Sequence, residues 1–285
     1  MPELPEVESL ARYLRERMLG RVLTRLDVLS IAVLKTYDPQ PSSLAGLMVT
    51  GVSRHGKFLD IDCDGLHLVM HLARAGWLRW YDEMNPKPAR PGGPIALRVF
   101  IDTGAGFHVT EAGTRKKLAA YVVRSPDDVP GVAGLGIDVL DPAFTADALG
   151  VFLRERRAQI KGVLTDQSVI AGVGNAYSDE ALHAAKLSPF RTAATLSAAE
   201  VERLRDALVA SIASAVERSR DTPAGELKAE KKSGLAVHGR TGEPCPVCGD
   251  TIREVSFADK SLQYCATCQT GGKPLADRRL SRLLK

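Results

Sequence analysis

Apolar residues recur at Val7, Leu10, Leu14 and Met18, the spacing of a helix that buries one face, and Gly20 follows as a C-terminal cap. Beyond it the period shortens. Runs at 22–28, 48–52, 58–63, 67–71, 97–101, 107–110 and 118–123 read as short strands separated by Gly, Pro and Asp turns. They predict a β-sandwich with the first helix packed on it. Residues 125–142 show no sustained periodicity and are expected to link two domains.

The helical period returns after the linker. Helices are expected at 145–156, 159–165, 178–185 and 197–218, the last with a core stripe of Ala198, Val201, Leu204, Leu208 and Ile212. Between the second and third lies a turn from Gln167 to Asn175 that contains Gly172 and Gly174. Its glycines allow close backbone approach, and Asn175 with the N–H groups of the following helix would suit a phosphate, although such turns also join helices for packing alone. The charged run 226–234 is expected to be a solvated loop. Together the elements predict an α+β protein.

Composition narrows the function. Hydrophobic residues make up 45% and charged residues 25% of the 285, with a net charge of +4, so nucleic acid is permitted as a partner without being demanded. No run of eighteen apolar residues and no basic-then-apolar leader occurs, so neither a membrane span nor export is expected, and a cytoplasmic protein is.

Four of the five cysteines form two Cys-x-x-Cys pairs, Cys245/Cys248 and Cys265/Cys268, separated by sixteen residues. That spacing fits one tetrahedral zinc with four thiolates, and a filled sphere makes it structural; a redox dithiol is the competing reading. The segments 251–257 and 261–264 between them should form a hairpin with Asp259 and Lys260 at its tip, Lys260 placed to reach a phosphate. Cys63 stands apart. Other basic spots are Arg54 to Lys57, Arg74, and Arg115-Lys116-Lys117, each of which taken singly reads as a solvated turn.

The chain opens Met1-Pro2-Glu3-Leu4-Pro5-Glu6. Removal of Met1 leaves the secondary amine of Pro2, and an α-amino group titrates near 8, so part of it is unprotonated and nucleophilic at neutral pH. Glu3 and Glu6 could move a proton. Equally, Pro and acidic residues suit the first turn of any helix.

The opening, the Gln167–Asn175 turn and the terminal four-cysteine finger, in this order, resemble the formamidopyrimidine-DNA glycosylase and endonuclease VIII family, most closely its formamidopyrimidine branch. The resemblance covers nearly the whole chain. It implies an N-terminal β-sandwich, a helix-two-turn-helix domain and a zinc finger, with DNA crossing the cleft between them. The corresponding divisions are 1–124, a linker 125–142, 143–240, 241–272 and a basic tail 273–285. It also implies a monomeric base-excision enzyme on damaged double-stranded DNA, both glycosylase and AP lyase, with one structural zinc.

Carried onto matching positions, the resemblance makes Pro2 the nucleophile, Glu3 the acid/base group, Glu6 a supporting carboxylate, and Lys57 the lysine that contacts phosphate and serves elimination. Lys161 and Asn175 become phosphate ligands, and Lys260 stands where the family usually has Arg, losing the planar fork. Three departures concern lesion reading. Ala73-Arg74-Ala75-Gly76 replaces Gly-Met-Ser-Gly, so Arg74 would fill the gap left by a flipped base. Thr114-Arg115-Lys116-Lys117-Leu118-Ala119 replaces Asp-Pro-Arg-Arg-Phe-Gly, which makes Leu118 the wedge and puts Lys116 and Lys117 on the opposite strand. The stretch from Asp221 to Glu243 is about ten residues short of the branch's usual sequence, where a loop closes over 8-oxoguanine. Weak 8-oxoguanine excision is therefore expected; the alternative is a non-excising binder of damaged or abasic DNA.

Overall fold

The computed structural model describes residues 1–89, 92–112, 116–257 and 260–277. Two compact units divide the chain: Met1–Leu135 with Arg218–Glu230, and Gly136–Glu217 with the described residues from Lys231 onward.

In the first unit α1 (Leu4–Met18) begins where Glu3 caps it and Glu6 accepts the Glu3 N–H at 2.7 Å, a reciprocal capping box. Leu4, Val7, Leu10, Ala11, Leu14 and Met18 are buried, and Gly20 ends the helix at φ +75°. Burial of the Leu, Val and Met side chains, each contributing about 1.5–3 kcal/mol, fixes the helix against the sheet.

The strands are β1 (Val22–Val28), β2 (Leu47–His55), β3 (Phe58–Cys63), β4 (Leu66–His71), β5 (Gly76–Tyr81), β6 (Ile95–Ile101), β7 (Gly106–Glu111) and β8 (Ala119–Val123). They run in the order β5-β7-β6-β1-β2-β3-β4-β8. β1 meets β2 through only Val22↔Met48 and Leu23↔Leu47, whereas β1 and β6 pair along most of their length. The sheet folds there into the expected β-sandwich, whose core also holds α1. β5 was not expected: Arg79 is exposed and Trp77 and Trp80 are half-buried, which blurs the alternation. β2 runs on to His55 because His55 pairs with Phe58, and Gly56 at φ +54° closes a tight turn.

The stretch 125–142, expected to link two domains, is structured, and the division between the units falls within it, after Leu135. It holds α2 (Pro130–Ala133), and Val129 and Val132 pack with Val69 and Val123 in the first unit. Its later part forms β9 (Ile137–Asp138), which pairs in parallel with β10 (Ile170–Ala171) in the second unit.

The second unit adds α3 (Ala146–Arg154), α4 (Ile160–Leu164), α5 (Asn175–Ala184) and α6 (Ala198–Arg218). The charged run expected as a solvated loop is instead α7 (Leu227–Gly234). Leu227 is fully buried in the first unit's core, and Lys231 lies 4.7 Å over the Tyr177 ring in the second. Ala224 shares that first core and the Ser219 hydroxyl meets that of Ser9 at 2.7 Å, so residues 218–230 fold with the sandwich and not with the helical division 143–240. A hairpin of β11 (Ile252–Ser256) and β12 (Ser261–Cys265) and a short α8 (Ala266–Thr270) complete the unit. Asp259, Arg115 and tail residues 278–285 lie outside the described residues. Among the described residues no helix is long and apolar enough to cross a membrane.

Candidate active site and metal centre

The N-terminus is held on β2. Pro2, Glu3 and Glu6 are buried at the head of α1, and the Ser9 hydroxyl donates to the Pro5 carbonyl at 2.9 Å. Glu8 pairs with the Arg54 Nε at 2.7 Å, and the Arg15 Nε donates to the Val52 carbonyl at 2.8 Å. Arg54 stands three residues before Lys57, which lies buried in the β2–β3 turn.

Phe58 faces His71 across β3 and β4, with ring centroids 4.7 Å apart. The β2–β3 and β4–β5 turns therefore lie at the same end of the sheet, which brings Lys57, His71 and Arg74 to one edge. Burial, and then the charge of Lys57, push the His71 imidazole down to about 4, so it is neutral at pH 7. Arg74 is exposed in a turn that Ala73 enters at φ +50°. Cys63 needs no chemistry: burial first, then Asp62 and Asp60, push its thiol up to about 12, and it packs in the core.

The segment after β7 is organised by Glu111. Its Oε1 accepts the backbone N–H groups of Lys117 at 2.6 Å and Leu118 at 2.9 Å, and its carbonyl accepts the Lys116 ammonium. Lys116 and Lys117 are exposed. Leu118 is not: at 2% exposure it packs in the sandwich core, so in this structure it is a core residue rather than a wedge.

In the second unit Gln167 shapes the glycine turn by donating to the Val173 carbonyl at 2.7 Å and accepting the Gly172 N–H at 3.0 Å, with Gly172 at φ +90°. Lys161 does not point outward for a phosphate. Its ammonium donates to the Asn175 carbonyl at 3.0 Å, the Ser178 hydroxyl at 2.8 Å and Asp179 at 2.6 Å, which uses all three donors and holds α4 to α5. One N–H of the Asn175 amide goes to the Ser261 carbonyl at 2.7 Å and ties α5 to the hairpin.

Sequence reasoning missed Asp179, Glu180 and His183. Asp179 also accepts from His238 at 2.7 Å, Glu180 accepts the N–H groups of Ala236, Val237 and His238, and the His183 Nε2 lies 3.3 Å from the Cys245 sulfur. The available signal was the polar spacing 175, 179, 183 along one helical face.

The four cysteine sulfurs lie within 4.8 Å of one another. Cys248 and Cys265 are 3.3 Å apart and Cys245 and Cys268 4.0 Å, which brackets the spacing of about 3.8 Å set by Zn–S bonds of about 2.3 Å in a tetrahedron. The donor set is that of a closed, structural zinc. The apolar cluster around it, Val237, Cys245, Ile252 and Cys265, is small, and a bound metal would add folding energy to that of the hairpin's second cluster, Val255, Leu262, Tyr264 and Ala266. Lys260 is exposed at the start of β12, with its carbonyl accepting the Phe257 N–H at 2.7 Å.

Three family models match the chain: the formamidopyrimidine-DNA glycosylase N-terminal domain over residues 1–118, the formamidopyrimidine-DNA glycosylase H2TH domain over 135–224, and the zinc finger found in FPG and IleRS over 242–271. A formamidopyrimidine-DNA glycosylase-like protein of Mycobacterium tuberculosis is 60% identical over 156 residues, 55% of this chain and 98% of that protein. The formamidopyrimidine-DNA glycosylase of Desulforamulus reducens is 34% identical and covers 94% of this chain and 99% of its own length. The solved Lactococcus lactis formamidopyrimidine-DNA glycosylase, non-covalently bound to DNA containing an AP site, superposes with a TM-score of 0.81 at 25% identity, covering 94% of this chain and 99% of that one.

Proposed function

Because the chain belongs to the formamidopyrimidine-DNA glycosylase family, whose members are DNA-repair glycosylases, we propose that it is a bifunctional DNA glycosylase/AP lyase acting on damaged double-stranded DNA. The observation that carries this reading is the head of α1, where Pro2 is buried beside the carboxylate-bearing Glu3 and Glu6. Once Met1 is removed, the Pro2 nitrogen lone pair attacks C1′ of a flipped nucleotide as the glycosidic bond breaks and the base leaves. Glu3 protonates the departing ring oxygen, which gives the Schiff base. Loss of a C2′ proton expels the 3′ phosphate, and a second elimination expels the 5′ phosphate. Lys57 contacts phosphate and serves these eliminations.

Asn175, Lys260, Lys116, Lys117 and Arg74 supply the DNA contacts in this reading, with Lys161 acting through Asn175 as a positioning residue. Abasic sites, ring-opened purines and oxidised pyrimidines are the substrates, with weak excision of 8-oxoguanine. The inward Leu118 and the Arg74 turn support that selectivity.

Borohydride reduction with an abasic duplex tests the chemistry. A covalent adduct that Pro2→Gly greatly weakens is expected; no adduct with tight binding makes the protein a non-excising binder. A panel of matched duplexes, each carrying one lesion and run at more than one salt concentration, tests selectivity. Efficient excision of 8-oxoguanine opposite cytosine overturns it.

A further inference from the structure

α5 carries Asn175, Asp179 and His183 one turn apart, and all three meet the finger segment of the second unit. Asn175 donates to the Ser261 carbonyl at 2.7 Å, Asp179 accepts the Gln263 N–H at 3.2 Å, and the His183 Nε2 stands 3.3 Å from the Cys245 sulfur. The finger is thus docked on a polar stripe. Its innermost contact reaches a zinc ligand.

His183 is 5% exposed and Cys245 3% exposed. A buried imidazole needs a partner, and a zinc-bound thiolate only accepts, so the complementary state is an Nε2–H aimed at sulfur. Backbone N–H groups of Val247 and Cys248 also serve that sulfur. They belong to the knuckle itself, whereas His183 comes from a helix that is complete without the metal.

We propose that His183 is a positioning residue for the zinc centre, donating its Nε2–H to the Cys245 thiolate. The bond withdraws electron density from the sulfur. It makes Cys245 a poorer nucleophile while zinc-bound, and it fixes the knuckle in the orientation the metal requires, so the free site loses less order on binding. The same bond fastens the metal centre to the helix that Asn175 begins.

The test uses the full chain loaded with zinc and two variants, His183→Leu, which fills space without donating, and His183→Gln, whose amide can donate from nearly the same place. Zinc Kd is measured by competition with a chromophoric chelator. Alkylation of the loaded protein by N-ethylmaleimide is followed by peptide mass spectrometry at Cys245. In that reaction the sulfur lone pair forms the S–C bond, the alkene takes a proton from water and the zinc–sulfur bond breaks.

His183→Leu is expected to weaken zinc binding about 10- to 100-fold and to speed alkylation of Cys245, with His183→Gln recovering most of both. Unchanged Kd and alkylation in His183→Leu, or equal losses in both variants, overturns the proposal, the second outcome reducing His183 to packing. Should neither variant fold, cadmium-substituted wild-type protein decides: a scalar coupling between the metal and the His183 Nε2 proton is expected, and its absence overturns the assignment.

Discussion

The Glu8 carboxylate and the Arg54 guanidinium meet at 2.7 Å, with side chains 24% and 9% exposed, and so join the second turn of α1 to the strand that leads into Lys57. A charge-assisted hydrogen bond in such partial burial contributes about 1.5–3 kcal/mol. Glu8→Gln keeps the shape and removes the charge, so a loss of stability within that range is expected in urea denaturation. Borohydride trapping should fall as well, because the helix that carries Pro2 loses its tie to β2. A stability change near zero would show that the apolar face of α1 alone sets its place.

His71 makes stability depend on pH. Its folded pKa is pushed down to about 4, first by burial and then by Lys57, while an unfolded histidine titrates near 6.5. Between those values the unfolded chain binds more protons, so stability is lost as pH falls. A drop of about 2.5 units at about 1.4 kcal/mol each bounds the loss at about 3.5 kcal/mol. Chemical denaturation at pH 7 and pH 4.5 should show this slope, and His71→Phe should flatten it. In an NMR titration, Lys57→Gln should move the His71 midpoint upward.

The turn from Leu72 to Gly76 contains one position that demands glycine and one that lacks it. A Cβ on Gly76 would stand 2.2 Å from the Leu72 carbonyl oxygen and 2.9 Å from a Leu118 methyl, so Gly76→Ala should cost about 3 kcal/mol or more. Ala73 at φ +50° carries about 1–2 kcal/mol of left-handed strain. Ala73→Gly relieves it but adds about 0.4–1 kcal/mol of unfolded-state entropy. A net gain of about 0–1.6 kcal/mol in denaturation is expected, with Arg74 less restrained.

Much of this architecture was written in local periodicity. The stripe of α1 and the strand Phe58–Cys63 could be read because one face of each is buried and the period survives in the residue types. The cysteine set could be read because ligand spacing is fixed by zinc chemistry. α7 could not, since its buried face comes from Leu227 and the stem of Lys231, and charged heads hide both. Asp179 and His183 stayed hidden for a related reason: a polar side chain on a helix reads as solvated until the partner that buries it, distant in sequence, is in place. β5 was lost where exposed Arg79 and half-buried tryptophans interrupt the alternation.

Leu118 shows the same limit and yields the sharpest mutational test. A lone apolar residue after a basic run carries no periodicity to say whether it points inward, and in the fold Glu111 turns the backbone so that its side chain enters the core. Truncating a leucine at 2% exposure leaves a cavity, so Leu118→Ala should cost about 2–5 kcal/mol in thermal or chemical denaturation. A wedge residue would behave in the opposite way, leaving stability alone and lowering excision from duplex DNA while sparing cleavage of single strands. Measuring both quantities on the one variant separates the roles. Loss of stability with proportionate loss on both substrates places Leu118 in the core, and among the described residues of this segment Lys116 and Lys117, both exposed, are then the ones proposed to meet the opposite strand.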